Sequence, residues 1–550
     1  MSQGIKSFAG LLLLVPALGW GQDTGSPAVG ASGMVSSAHP LATEAGVDVL
    51  REGGSAFDAA VAIAAALNVV EPMMSGIGGY GTIVIYDAAN RRARFLNSSG
   101  RIPAKLDADV FRPPTPGHME NRTGAKAVST PGNLNAWEAM HKVHGKLSWR
   151  RLIEPASRLA GEGFTVSEHT ARFIRIRFSS FPEHVRVFYG SNGQPLKTGE
   201  RLIQEDLARS FRTIAEQGAK ALHGGALGLA IDSAMKEAGG FLTLDDLVSN
   251  QAEWWEPIQI DYRGHTVVTA SPPANAFDML VRLGMMSRFD LRALGHNSAS
   301  YLHRYAEVTK HGFWARLRYA SDPDVAPPPL GMLLSEKYWS DEVARLDLER
   351  ARPFTPPGVV TTASQHTTHF VVADRWGNVV SATQTLGNLF GSSIMPRGTG
   401  VWLNNSLAYS TFEPKGNPMD AFPGRHKLSG DCPTLILKEG RLWAALGTPG
   451  GHTIGQTIPQ MVMNLVDFGM NVQEALTAPR ISFVEPDLLT VEDSIPEAAR
   501  KELRTRGHRL HVRQALGNAH ALTIEYDATG KPSRFAGAAD PRGEGRAKGY

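Results

Sequence analysis

HTTHFVVADRWGNVVSATQTL, running from His366 to Leu386, is the stretch on which the reading of the fold turns. Thr367–Ala373 and Val379–Thr385 are rich in β-branched and aromatic residues, and Asp374, Gly377 and Asn378 between them are turn formers, so the segment predicts a β-hairpin. Pairing Asp374 with Asn378 sets Thr367 directly across from Thr385, close enough for a hydroxyl-to-hydroxyl hydrogen bond. Upstream, ARPFTPPGVVTTASQH (Ala351 to His366) is rich in Pro, Thr and Ser and predicts a linker.

A threonine where a linker meets a buried strand has the setting that an N-terminal nucleophile needs. The Thr367 hydroxyl can attack the carbonyl of His366 and move the acyl group from nitrogen to oxygen. Hydrolysis of that ester frees an α-amine, whose unperturbed pKa of about 7.7–8.0 makes it a base for its own hydroxyl. Thr385 is expected to hold and polarise that hydroxyl. The same letters also fit a plain threonine-rich strand start, and the residues alone leave both readings open.

Two helices are predicted further upstream. The first carries Ala42, Ala45, Val49 and Leu50 on one face and stops at Gly53-Gly54; the second starts at Ser55 as N-cap and is Ala-rich nearly all round, so it should lie buried between layers. The loop Gly76-Ile-Gly-Gly-Tyr-Gly81 matches a dinucleotide fingerprint in letters, but a helix precedes it and a strand (Thr82–Tyr86) follows. That order is the reverse of a phosphate cradle. Residues 129–320 read as helical, with amphipathic spacing over Leu207–Glu216, Ala226–Ala238 and Ser298–Tyr319. The pairs His303/His311 and His141/His144 lack a carboxylate at metal spacing, so no metal is expected.

The chain has 550 residues, 42% hydrophobic and 20% charged, which is globular composition; 57 Gly and 34 Pro imply many turns. A net charge of +3 with scattered signs gives no basic groove for nucleic acid and no polybasic membrane patch. The single cysteine, Cys432, excludes intramolecular disulfides and is read as an inert filler. Lys6 ahead of the apolar run Phe8–Leu18 reads as a signal peptide over residues 1–21, cut after Gly21. A periplasmic or secreted protein without a membrane anchor is expected.

The segments TTHF and TQTL around Thr367 and Thr385, GVWLNN at 400–405 and GTPGG at 447–451 resemble the γ-glutamyltransferase (glutathione hydrolase) family. So do AFDAAVAIAAALNVVEP at 56–72, SGIGGYG at 75–81, STPGN at 129–133 and AADPRGEG at 538–545. The resemblance implies an α+β fold, the four-layer αββα sandwich of N-terminal-nucleophile hydrolases. It also implies a proenzyme cut between His366 and Thr367 into a large subunit (22–366) and a small one (367–550). Thr367 falls on the family nucleophile, Thr385 on the threonine that bonds it, and Gly450 and Gly451 on the oxyanion-hole pair, where glycine lets the backbone come close. No cofactor is implied; the partner is a small-molecule amide, whose acyl group passes to water or an amine.

The implied substrate pocket departs from the family pattern. Ser99 stands where well-studied members hold the α-carboxylate with Arg, and Arg101 could supply charge only from another angle. Gly387 stands at the family Asn, with Asn388 beside it; Ser406 and Tyr409 replace the Gln and Asp that take the α-amino group; Ser429 and Gly430 replace paired serines, followed by Asp431. A desolvated ammonium without a carboxylate costs about 2–5 kcal/mol, so Tyr409 is the weightiest change unless Asp431 compensates. γ-Glutamyl amides such as glutathione are the first reading of substrate, with glutaryl-type acyl amides the alternative. An inactive binding protein is the reading from another class.

Overall fold

The structure is a computed structural model, and it describes residues 25–356, 366–485 and 487–550. The predicted signal peptide and most of the linker ahead of His366 lie outside the described residues.

The hairpin forms as predicted: strands His366–Ala373 and Val379–Gly387 pair antiparallel from Ala373 opposite Val379 to Thr368 opposite Gln384. Asp374 explains the turn. Its carboxylate accepts N–H bonds from Trp376 and Asn378 (2.9 and 3.0 Å) and reaches Ala56 N–H at 2.9 Å, tying the turn to the start of helix Ala56–Val70. Period-2 alternation then sorts the side chains. Phe370, Val372, Val380 and Ala382 enter one core, under the helices, while Val371, Ala373 and Val379 enter another, between two sheets.

Each of the two large sheets has seven antiparallel strands. In the first, the hairpin is central, flanked by Met34–Ser37 on one side and Tyr80–Asp87 on the other. The second runs through Pro532–Ala539, His520–Tyr526, Arg441–Gly447, Thr434–Lys438 and His265–Thr269. Helices Pro40–Arg51 and Ala56–Val70 cover the first sheet; Phe277–Met286, Ala299–Tyr319 and Ile454–Val466 cover the second. This is an α+β, four-layer αββα sandwich, as expected.

Helix Ala56–Val70 is buried along its whole length, as its Ala-rich sequence predicts, and Ser55 caps it in a capping box with Asp58. The helices expected at Leu207–Glu216, Ala226–Ala238 and Ser298–Tyr319 are present as Glu205–Gln217, Ala226–Ala238 and Ala299–Tyr319. The wholly helical reading of 129–320 needs correction, because Glu253–Trp255 edges the first sheet and the hairpin Ile258–Tyr262/His265–Thr269 edges the second. A tight turn at Arg263-Gly264, both with positive φ (56° and 74°), closes that hairpin. Among the described residues no helix is long and apolar enough to cross a membrane.

Candidate active site

Thr367 sits at a break in the ladder. Pairing runs regularly to Thr368/Gln384, then skips so that His366 faces Gly387. The resulting β-bulge takes Thr367 out of the straight register read from sequence and turns the preceding carbonyl toward Thr385. Thr385 Oγ1 donates to the His366 carbonyl oxygen at 2.6 Å and accepts from Gly387 N–H at 2.7 Å. The Thr385 hydroxyl therefore engages the carbonyl that the Thr367 hydroxyl would attack, where a bond to that hydroxyl was expected.

Thr367, His366 and Gly450 line one cavity of about 310 Å³, together with Glu71, Met74 and His169. A larger cavity of about 680 Å³ beside Tyr338 and Phe354 holds none of the expected site residues. Gly450 (φ 144°) and Gly451 (φ 57°) lead through one turn into helix Ile454–Val466. Both angles disfavour L side chains, and a Cβ on Gly450 would lie 2.3 Å from Thr453 Oγ1. His366 is neutral near pH 7, since burial and the nearby Arg177 and His169 push its imidazole down to about 4.

Glu71, at the end of helix Ala56–Val70, was missed as a site residue although its NVVEP segment was singled out. It is buried and accepts the Thr368 hydroxyl at 2.7 Å. Burial pushes its carboxyl up to about 7 against the pull of the Thr368 bond.

The expected pocket residues divide into three groups. Arg101 is engaged elsewhere: it donates to Glu253 at 2.7 Å and to the Gly424 carbonyl at 3.2 Å. Glu253 also meets His426 Nε2 at 3.2 Å, while His426 Nδ1 meets Asp322 at 3.1 Å. Burial works against the His426 imidazolium, yet its bonds to Asp322 and Glu253 lift its pKa to about 9. Ser406 and Asn388 serve the scaffold. Ser406 Oγ bonds Ser129 Oγ, and Asn388 N–H donates to Asn405 Oδ1 at 2.8 Å. Asn405 Oδ1 also explains Gly387, whose φ is 101° and whose Cβ would stand 2.1 Å from that oxygen.

Tyr409, Ser429, Gly430 and Asp431 form the third group, and they do converge. The Tyr409 ring meets the edge of His452, the residue after Gly451, at 6.1 Å between centroids. Ser429 Oγ lies 3.5 Å from Thr82 Oγ1, which donates to Asp431 at 3.3 Å. A Cβ on Gly430 would lie 3.8 Å from Arg316 Nη2. Arg316 is buried and bonds His452 Nδ1 at 2.6 Å. Lys427, unremarked in the sequence, lies in the same cluster with its ammonium 3.3 Å from the Tyr80 ring centroid and 4.9 Å from that of Tyr409. Burial pushes the Asp431 carboxyl up and the Lys427 ammonium down. Ser99, at the family arginine position, is buried. The Cys432 thiol is buried and pushed far up by that burial, in line with a filler role.

Two clusters have metal-like composition, His303/Glu307/His508 and Asp322/Asp324/His426. In both, the ring nitrogens facing the cluster are already engaged: His303 bonds His508 at 2.8 Å and the Asp347 carbonyl at 2.9 Å, and His426 is held between carboxylates.

Fold and site together define an amide hydrolase of the N-terminal-nucleophile type. The Gamma-glutamyltranspeptidase family model matches residues 42–550, and the chain belongs to that family. It is 37% identical to the acylase ACY 1 proenzyme of Pseudomonas sp. (strain V22), over 92% of each chain. To the glutathione hydrolase proenzyme of Escherichia coli (strain K12) it is 32% identical, over 95% of this chain and 92% of that one. The solved cephalosporin acylase from Bacillus halodurans superposes with a TM-score of 0.88 at 27% identity, covering 98% of this chain and 99% of that one. The protein is an enzyme, an autoprocessed hydrolase and acyltransferase of this family acting on amides.

Proposed function

We propose that the chain is exported by residues 1–21, cuts itself between His366 and Thr367, and then opens acyl amides that lack a free α-amine. The bond from Thr385 to the His366 carbonyl carries the first part of this reading. A donor already aimed at that oxygen stabilises the charge that develops when Thr367 Oγ attacks the carbon. The C–N bond to Thr367 then breaks, the nitrogen keeps the proton it gains, and water hydrolyses the resulting ester. The large chain would end at His366 and the small one begin at Thr367.

In the mature enzyme the α-amine of Thr367 takes the proton of its own hydroxyl. The oxygen attacks a substrate carbonyl whose oxygen sits at the Gly450 and Gly451 N–H groups. The ammonium returns the proton to the leaving amine, and water or another amine resolves the acyl-enzyme.

For the acyl group, the supporting observation is an aromatic ring, Tyr409, at the family's ammonium-binding aspartate position, with the Lys427 ammonium beside it. An α-ammonium placed there would meet an aromatic ring and the Lys427 amine in place of the family carboxylate. The acylase relatives point the same way. A second reading, γ-glutamyl amides such as glutathione, is favoured by Asp431, the one carboxylate in this group of pocket residues, and by the glutathione hydrolase relatives. Rates of the matured enzyme on acyl anilides with and without an α-amine separate the two. A preference for γ-glutamyl over the des-amino analogue would refute the first.

A further inference from the structure

Lys427 is about 1% exposed, and its Nζ has no hydrogen-bond partner among the described residues. Arg316, 7% exposed, bonds His452 Nδ1, its Nε is unpartnered, and it makes no ion pair with any described carboxylate. Arg316 has the buried Asp278 carboxylate in its surroundings, while Lys427 is left with Asp431, which accepts from Thr82 and makes no ion pair with the amine among the described residues. Burial pushes the Lys427 ammonium well below its usual range, and an anion entering beside Nζ would favour its charged form and supply the acceptor it lacks.

The position says what that is. Tyr80, on whose ring the ammonium rests, is directly opposite Thr385 in the neighbouring strand, so both side chains leave the same face of the sheet. Thr385 holds the scissile carbonyl. On the other side, Tyr409 links Lys427 to His452 and so to the Gly450–Gly451 loop. The amine thus shares side-chain neighbours with both the scissile carbonyl and that loop, the two points between which the acyl half of a substrate would lie.

Resting on the reading above, we propose that Lys427 is the specificity-determining residue of the acyl pocket. It receives an anionic end of the acyl chain, with Arg316 supporting the charge, so that the favoured substrates are monoamides of dicarboxylic acids. Lys427 takes over a role that Ser99 cannot fill, from a different loop and a different side of the pocket.

The test compares the two-chain enzyme on glutaryl p-nitroanilide and on pentanoyl p-nitroanilide, which has the same carbon count without the carboxylate. Wild type should prefer the glutaryl compound in kcat/KM by roughly 30-fold or more. Lys427→Gln should collapse that ratio toward one, and Lys427→Arg should keep most of it. Should Lys427→Gln fail to mature, wild type still decides: free glutarate should compete at least about tenfold better than pentanoate, reading the same charge contact. Equal turnover of both anilides, or an unchanged ratio in Lys427→Gln, overturns this inference and leaves the amide hydrolase intact. Turnover of neither anilide overturns both readings together.

Discussion

Replacing Thr385 by valine removes one hydroxyl and almost no volume, and that hydroxyl does two things. It donates to the His366 carbonyl at 2.6 Å and accepts from Gly387 N–H at 2.7 Å. The first bond bears on rate, because a lost donor at a developing oxyanion typically costs about 10²–10³ in the step concerned. The second bears on stability, because a lost hydrogen bond to a buried N–H typically costs about 0.5–1.5 kcal/mol. Self-cleavage of Thr385→Val should therefore slow about 10²–10³-fold, with a lowered melting temperature, whereas Thr385→Ser keeps both bonds within reach and should stay within about tenfold of wild type. The assay is a time course of purified precursor on denaturing gels, with the folded fraction measured in parallel by circular dichroism. A variant that matures at the wild-type rate per folded molecule would refute the reasoning, since the hydroxyl would then be a structural clip only.

Glu71→Gln should change how stability depends on pH. The native carboxyl titrates at about 7, above its unfolded value, so its favourable contribution is complete below the unfolded pKa and is lost as pH rises through about 7. Urea unfolding of a Thr367→Ala precursor should show the glutamine variant gaining on its parent by about 3 kcal/mol at pH 8 and not at pH 4. His426 acts in the same direction at higher pH: held at about 9 by Asp322 and Glu253, it stabilises fully below its unfolded value near 6.5 and loses that effect as pH passes 9. His426→Gln should melt lower than wild type at pH 6 and close to it at pH 10. Gly387→Asn, which restores the family residue, should cost about 1–3 kcal/mol through its positive φ and the approach of Asn405 Oδ1, read as a lower melting temperature without gained γ-glutamyl activity. If Asp431 takes an α-ammonium, Asp431→Ala should lower kcat/KM on γ-glutamyl anilide selectively; an equal change on the glutaryl compound would count against that role.

Local physics made much of the fold legible. Ser55 with Asp58, the Asp374–Asn378 turn and the all-round apolar helix after Ser55 are each decided by residues a few places apart. The alternation in Phe370–Ala373 is equally local, and it sets which face meets which layer. The bulge at Thr367 was not legible, because a skipped residue follows from how strands from distant segments pack around the hairpin. The edge strands near Glu253–Thr269 were missed for a related reason: five-residue runs such as HTVVT become strands by pairing with Lys438–Thr434, far along the chain. In the site, Arg101 looked like a spare cation until Glu253 was found beside it. Lys427 carried no local signal, and Glu71 none beyond its place in the NVVEP segment. Their charges matter only because Tyr80, Tyr409 and Thr368 bury them.

Intact-mass and N-terminal sequencing of purified enzyme, taken during turnover of an acyl anilide, tests the account most directly. The account predicts a small chain of 184 of the 550 residues, about 20 kDa of the 59.3 kDa total, that starts at Thr367 and carries the acyl mass on that first residue. An unbroken chain across His366–Thr367 in a preparation that still turns over substrate would contradict it.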